Sequence, residues 1–322
     1  MHNSDVFKGR GPLIGTQQGI WFADQMMANH TDYNVAHYVE ISKALDIELF
    51  TRAIKVVLSN VDTIQSRFTV SDDGVEQSFY NVDFTDELIE ILDFTKKDQP
   101  VEYALNWMDK ELITPVNLLE AAPRFKHCLI KVGSENEPCW LWYQRYHHID
   151  VDGFSFAAIS QNIASAYNRF ISAERPLPEK FTAFYEVIEE YQAYTRSENY
   201  MVDKSFWQEY TKQLPEPIQL STRTSYSNDQ KAISRQEVVS NTLFSSSFEQ
   251  AQMSDISMAL VFSFLYLHTK QETLCVGLPM MRRLGSVALT AAGSVVNVLP
   301  LKITVNPDCT MHDLTQLIKR SL

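Results

Sequence analysis

The chain has 322 residues, a hydrophobic fraction of 45% and a formal net charge of −12 at pH 7. Its length and apolar content suffice for two domain-sized units with buried cores and exclude a disordered chain. The acidic balance repels phosphate backbones and anionic membrane surfaces, so we expect neither nucleic acid nor a membrane as partner. Four scattered cysteines without zinc-type spacing, and an amino terminus without an apolar signal segment, indicate a cytoplasmic protein.

The first third of the chain shows a helix, a strand and a second helix in order. Residues 16–27 predict a helix. Its inner face is expected to carry four apolar side chains: Ile20, Trp21, Met26 and Met27. Residues 35–45 alternate like a strand, and residues 46–62 place apolar side chains at helical spacing.

Two adjacent histidines close the next predicted element. The β-rich stretches 125–132 and 139–146 flank a turn-forming segment and predict a hairpin, and Ser155 is expected to cap the helix that follows. Side chains alternate faces along a strand, so His147 and His148 are expected to point in opposite directions. They are therefore poorly placed to share a metal ion, and no recognised zinc spacing surrounds them.

The second half of the chain begins at a break rich in proline and charge, residues 172–181. This break predicts two subdomains, 1–175 with the histidine pair and 176–322. A polar stretch at 221–236 predicts a surface loop or linker, and the apolar run 256–267 predicts a buried helix between strands. Because helices and strands mix without strict βαβ alternation, we expect two α+β sandwich-like halves.

The histidine pair allows two interpretations, a catalytic role and a purely structural role. An imidazole titrates near neutrality, so a histidine at a strand end can take a proton from an attacking amine or alcohol. In the structural interpretation, one histidine packs in the core while the other is solvated. Catalysis is favoured by two residues that follow: Asp152 can pair with an arginine, and Gly153 permits a sharp backbone turn into the helix.

The segment HHIDVDG at 147–153 resembles the HHxxxDG motif of nonribosomal peptide synthetase condensation domains and related acyltransferases. Four more family signatures recur in order, namely TQQGIWFADQM, VDTIQSRF, FTAFYEVIEEY and GSVVNVLP. The second of these departs from the family pattern and retains only Arg67 and Phe68 clearly. The resemblance covers nearly the whole chain, and it is greatest to amino-terminal condensation domains of serine-activating siderophore synthetases.

This resemblance implies two chloramphenicol-acetyltransferase-like sandwich subdomains that form a V, the second of them truncated. It implies that His148 takes a proton from the acceptor α-amine or positions it, while His147 is structural. It also implies that Asp152 orients the site by pairing with an arginine. The sequence leaves three candidates for that arginine: Arg67, Arg282 and Arg283.

The resemblance further implies that Gly153 presents its N–H near the reacting carbonyl and that Asn297 lines a substrate tunnel. It implies no metal and no cofactor bound by the domain itself, because the phosphopantetheine arms belong to the partners. Those partners are an aryl carrier protein as donor and a peptidyl carrier protein as acceptor. A downstream adenylation domain is expected in the same synthetase.

The implied function is amide formation between a carrier-bound aryl acid, 2,3-dihydroxybenzoyl, and a carrier-bound amino acid, serine, in catecholate siderophore biosynthesis. One alternative is an epimerization domain, which the Met1 start disfavours because such a domain needs an upstream loaded carrier. A coenzyme A-dependent acyltransferase is another. The third is a non-catalytic carrier-docking module, which the intact motif disfavours. The 322 residues are expected to be an incomplete fragment of the domain.

Overall fold

The computed structural model describes residues 6–27, 29–81, 84, 88–120, 122–134, 136–172, 180–220 and 253–322. The chain divides into two compact units. The first is Met1–Ser197 with Met281–Asn297, and the second is Glu198–Met280 with Val298–Leu322. The predicted boundary between residues 175 and 176, like the polar stretch 221–236, lies outside the described residues. The division into 1–175 and 176–322 therefore stays a prediction.

The first unit mixes strands and helices. In chain order these are β1 (Val6–Pro12), α1 (Gly15–Met26), β2 (Asn34–Ile41), α2 (Ile47–Leu58), β3 (Arg67–Ser71), β4 (Gly74–Asn81), β5 (Ile89–Asp93), α3 (Pro100–Leu112), β6 (Phe125–Lys131), β7 (Trp140–His147), α4 (Gly153–Ile171) and α5 (Phe184–Thr195). The second unit holds α6, α7, α8 and most of two strands. Their bounds are α6 (Glu198–Lys212), α7 (Met253–Thr269), β8 (Thr273–Met281), β9 (Val296–Thr304) and α8 (Met311–Ser321).

A four-stranded sheet in the order β2-β7-β6-β5 forms the centre of the first unit. Strands β6 and β7 pair antiparallel with Phe125 opposite Tyr146, so the predicted hairpin is confirmed. Only β5 runs parallel to its neighbour β6 in this sheet as described. A second sheet, with strand order β1-β4-β3, belongs to the same unit. Strands β8 and β9 form a separate two-stranded sheet.

Strand β7 is buried along its whole length. Its side chains Trp142 and Tyr146 enter the same apolar cluster as residues of α2 and α4. Leu141 and Tyr143, which alternate with them, pack in the cluster that includes Met108 of α3. Because both faces are covered, the strand that leads to the histidine pair is held rigidly by close packing.

The inner face of α1 is only partly as predicted. Ile20 and Trp21 are buried, but Met26 is 87% exposed and Met27 is 41% exposed, so the prediction is wrong for both methionines. Met26 lies about 120° around the helix axis from Ile20. Met27 has extended backbone angles at the end of the helix, so helical spacing no longer applies to it.

The core of the second unit joins α7, α8 and strands β8 and β9. Helix α7 covers the predicted apolar run, and Phe262 is fully buried. Phe264 and Leu267 are 58% and 62% exposed, so the prediction of a buried helix is wrong for that side. Among the helices in the described ranges, none is long and apolar enough to cross a membrane.

A buried histidine lies in the sheet of the first unit. The indole N–H of Trp142 donates to Nδ1 of His127 at 3.2 Å. Nε2 of His127 therefore carries the hydrogen and donates to the hydroxyl oxygen of Tyr146 at 2.8 Å. Burial, together with the nearby His37, lowers the pKa of His127 to about 3. The imidazole is thus neutral in the folded protein over most of the pH range.

This lowered pKa predicts a loss of stability in acid. The unfolded state, in which a histidine has a pKa of about 6.5, binds the extra proton between about pH 6.5 and pH 3. As the pH is lowered through this range, the free energy of unfolding should therefore decrease by up to about 1.4 kcal/mol per pH unit. Urea unfolding of His127→Gln should show a shallower dependence on pH than wild type. His268→Gln, which changes an exposed histidine, is the control; equal slopes for wild type and His127→Gln would contradict the assignment.

Candidate active site

The HHIDVDG segment joins the end of β7 to the start of α4. Asp152 is the N-cap of α4, and its Oδ1 accepts the backbone N–H of Ser155 at 2.9 Å. The prediction that Ser155 caps this helix is therefore wrong. Asp152 has extended backbone angles and a carboxylate that reaches the first turn, whereas Ser155 already lies inside that turn. The hydroxyl of Ser155 is instead tied to Asp152 and to Gly293.

His147 is fully buried and engaged with its surroundings. Its Nδ1 accepts the backbone N–H of Ile149 at 3.2 Å, and its Nε2 lies 3.6 Å from Oδ1 of Asp24. Burial alone would raise the pKa of the Asp24 carboxyl. Interactions with His147 and His30 outweigh burial and hold that pKa below its ordinary value. These contacts favour the structural role expected for His147.

His148 lies just beyond the last residue of β7, and its side chain environment differs from that of His147. Its backbone N–H donates to the carbonyl of Tyr33 at 2.7 Å, which fixes the main chain. Its Nδ1 is buried and makes no hydrogen bond to any residue that the structure describes. A buried polar atom without a partner is costly and is typical of functional positions. Nε2 of His147 is also buried without a hydrogen bond, but it has Asp24 within 3.6 Å.

Arg283 is the arginine that pairs with Asp152. Its Nη2 donates to Oδ1 and Oδ2 of Asp152 at 2.9 and 2.8 Å, and both side chains are buried. Burial alone would raise the pKa of Asp152, but the Ser155 N–H and the charge of Arg283 hold it below its ordinary value. The other candidates lie over aromatic rings instead, Arg67 over Tyr80 and Arg282 over Tyr194.

The same ion pair fixes a second segment of the first unit beside the motif. Arg283 also donates to the carbonyls of Ala291 and Gly293, and the N–H of Val295 donates to Oδ2 of Asp152 at 3.1 Å. A Cβ at Gly293 would overlap the ring of Phe184, so this close approach requires glycine. Both oxygens of the Asp152 carboxylate are therefore occupied by hydrogen bonds.

A second buried ion pair, which the sequence analysis missed, holds the other aspartate of the motif. Nε and Nη2 of Arg124 donate to the two carboxylate oxygens of Asp150 at 2.8 and 2.9 Å. Arg124 also donates to the carbonyls of Ser66 and Thr63. The side chain amide of Gln17 in α1 donates to the carbonyl of Ile149 at 3.2 Å. The residue types of Arg124 and Gln17 carry no local signal of these contacts.

Gly153 and Asn297 occupy exposed positions. Gly153 is the first residue of α4, and a Cβ there would meet no atom within 4 Å. Among the described glycines, the positive φ angles belong to other positions, so the backbone at Gly153 has no conformation that requires glycine. Asn297 lines a cavity of about 140 Å³ with residues of α1 and α5. No group of described histidines, cysteines and carboxylates is arranged to hold a metal ion.

Comparison with known proteins assigns this geometry to a family. Residues 8–322 match the Condensation domain family. The chain belongs to that family. This condensation domain is 41% identical over 324 residues to vanchrobactin synthetase VabF of Vibrio anguillarum, covering 100% of the chain and 11% of VabF. It is 35% identical over 316 residues to enterobactin synthase component F of Escherichia coli (strain K12), covering 97% of the chain and 24% of component F. The chain thus spans a small part of these relatives.

Solved structures agree with the family. A mutant of the starter condensation domain of rhizomide synthetase RzmA, in complex with C8-CoA, has a TM-score of 0.87 and 27% identity, covering 97% of this chain and 70% of that one. The first condensation domain of the calcium-dependent antibiotic synthetase has a TM-score of 0.82 at 23% identity, covering 98% and 74%, and shows the fold alone. The predicted α+β, chloramphenicol-acetyltransferase-like fold is confirmed. Condensation domains form amide bonds, which is an acyltransferase reaction.

Proposed function

We propose that this condensation domain joins a carrier-bound aryl acid, 2,3-dihydroxybenzoate, to carrier-bound serine in the biosynthesis of a catecholate siderophore. The two relatives that are siderophore synthetases support the pathway class. The observation that carries the proposal is the imidazole of His148, whose Nδ1 is buried without a partner at the end of a rigid strand. The donor partner would be an aryl carrier protein and the acceptor partner a peptidyl carrier protein, with an adenylation domain in the same cytoplasmic synthetase.

The proposed step is the attack of the acceptor amine on the donor thioester. The amine nitrogen forms a C–N bond to the carbonyl carbon, and the C–S bond breaks. His148 takes the proton that the amine loses and returns a proton to the departing thiolate, so the domain ends in its starting protonation state. The thioester supplies the driving force, and the protein supplies positioning.

The surrounding residues would act by orientation. Asp152 holds Arg283 and the first turn of α4, and its carboxylate has no unused oxygen with which to serve as a base. The ion pair of Asp150 with Arg124 would fix the segment between the end of β7 and Asp152. Gly153 would leave the helix amino terminus open towards the reacting carbonyl, and Asn297 would contact the substrate. No cofactor of the domain's own enters this scheme, because phosphopantetheine arms on the carriers deliver both substrates.

Mass spectrometry of the product tests this proposal. The full-length protein, with serine on its acceptor carrier and 2,3-dihydroxybenzoyl on an aryl carrier protein, should give the dihydroxybenzoyl-serine amide. An aliphatic aminoacyl donor should react much more slowly. Equal reaction of the two donors would contradict the aryl assignment. Inversion of the loaded amino acid without any donor would indicate epimerization, and acylation from a free coenzyme A thioester would indicate the coenzyme A-dependent alternative.

A further inference from the structure

Helix α1 contacts the HHIDVDG segment through two polar side chains on its buried face. Gln17 and Asp24 are both fully buried, on the same side of the helix as Trp21. Two helical turns separate them, which is roughly 10 Å along the helix axis. Asp24 faces His147, whereas Gln17 has no part in the proposed reaction step. Buried polar side chains are costly unless they make hydrogen bonds, so the contacts of Gln17 call for an explanation.

His148 belongs to a tight turn of four residues. The N–H of Asp150 donates to the carbonyl of His147 at 3.0 Å, which makes His148 the second residue of a β-turn and Ile149 the third. The N–H of His148 donates to the carbonyl of Tyr33, and the N–H of Ile149 donates to Nδ1 of His147. The main-chain angles of this turn set the direction in which the Cβ of His148 points. The position of the imidazole therefore depends on the hydrogen bonds that hold the turn.

Gln17 supplies one of those hydrogen bonds. Its side chain Nε2 donates to the carbonyl oxygen of Ile149 at 3.2 Å, and Ile149 is fully buried. No other described residue donates to this carbonyl. A buried carbonyl that loses its donor pays the full cost of having left water, so the turn would shift to find another partner. The conformation of the turn thus depends on the Gln17 amide.

Two main-chain groups fix the orientation of that amide. The N–H of Ile14 is a donor, and it donates to Oε1 of Gln17 at 3.3 Å. The carbonyl of Ile149 is an acceptor, so the amide nitrogen must face it. Gln77 of β4 completes the network, because its amide exchanges hydrogen bonds with that of Gln17 and also donates to the carbonyl of Pro12. In the described contacts, Gln17 bonds the turn and Gln77 does not.

We propose that Gln17 is a positioning residue for His148, because its side chain N–H holds the Ile149 carbonyl and so keeps the imidazole where the acceptor amine meets it. This inference rests on the proposed function, in which His148 takes the proton of the amine. A reacting group that is displaced by about 1 Å can lose roughly 10²-fold in rate. Loss of this hydrogen bond should slow the chemical step and leave the binding of the loaded carriers unchanged, since Gln17 is buried and cannot touch a carrier.

The test compares variants at the two glutamines in the full-length protein. Gln17→Met and Gln77→Met each keep the length of the side chain and remove one amide of the pair, so both should lower the melting temperature. An aryl carrier protein loaded with 2,3-dihydroxybenzoyl reacts with carrier-bound serine at a temperature where every variant is folded. Gln17→Met should lower kcat by about 10- to 100-fold and leave KM for the loaded donor carrier near its wild-type value. Gln77→Met, which keeps the Ile149 contact, should have kcat close to wild type.

Gln17→Glu provides a second comparison that preserves the shape of the side chain. Its carboxylate can accept the N–H of Ile14 but cannot donate to Ile149, whereas the protonated acid can do both. The ratio of its kcat to that of wild type should therefore rise as the pH is lowered. Wild-type kcat in folded Gln17→Met, or the same loss of kcat in Gln17→Met and Gln77→Met, would overturn the inference. Near-normal turnover by His148→Ala would instead overturn the proposed function on which the inference rests.

Discussion

His148→Ala in the full-length protein is expected to abolish amide formation, with kcat lowered by about 10²- to 10⁴-fold, while the melting temperature stays near that of wild type. The main chain at residue 148 is held by its N–H, which donates to the carbonyl of Tyr33 and which alanine retains, and the buried Nδ1 of the imidazole bonds no described residue. Removing the ring therefore takes away a reacting group and leaves the packing of β7 in place. Product formation by mass spectrometry and thermal unfolding by circular dichroism measure the two effects.

His147→Ala is the matched control, because it removes the neighbouring imidazole. It should lower the free energy of unfolding by about 1 to 3 kcal/mol, since it leaves Oδ1 of the buried Asp24 and the N–H of Ile149 without a partner. Near-normal turnover by His148→Ala would exclude that residue as the proton acceptor. A stable His147→Ala that has lost all activity would instead give His147 a part in the chemistry.

Asp152→Ala should lower both stability and activity. It leaves the buried guanidinium of Arg283 uncompensated, and the loss of one member of a buried ion pair costs about 3 to 5 kcal/mol. It also removes the N-cap of α4 and the acceptor of the Val295 N–H. Chemical denaturation gives the change in the free energy of unfolding, and the same preparation is assayed for amide formation.

Asp308→Ala, at an exposed position, is the control and should leave both quantities unchanged. Arg283→Met in the Asp152→Ala background removes the second charge and should restore part of the lost stability without restoring activity, because an uncharged pair is cheaper to bury than a lone charge. If Asp152→Ala kept the wild-type free energy of unfolding but formed no amide, Asp152 would take part directly in the chemical step.

The elements around the histidine pair were predictable because short-range periodicity sets them. β-rich composition predicted β6 and β7, and the turn-forming segment between them predicted their hairpin. β7 ends at His147, so the predicted alternation of faces does not extend to His148, and the opposite orientation of the two side chains stays a prediction. Met26 was misplaced because a sequence pattern does not show how far round the axis the buried face of a helix extends.

The partners of the two aspartates could not be predicted in the same way. Arg283 is 131 residues from Asp152, and Arg124 is 26 residues from Asp150. An arginine that is destined for a buried ion pair has the same local signature as one on the surface, so three candidates remained for Asp152. The Ser155 cap failed for a related reason, since Asp152 was assigned to an arginine and its second role as N-cap was overlooked.

The two ion pairs of the motif differ in when their partners become available during synthesis. Arg124 precedes Asp150, so that pair can form as soon as the motif leaves the ribosome. At about 5 to 20 residues per second, Arg283 follows Asp152 by roughly 7 to 26 s, given the 131 residues between them. Until then the carboxylate of Asp152 must stay in water or be buried without its counter-charge. A ribosome that pauses before residue 283 would therefore hold a nascent chain with both histidines in place but with the amino terminus of α4 exposed to proteases and to chaperones.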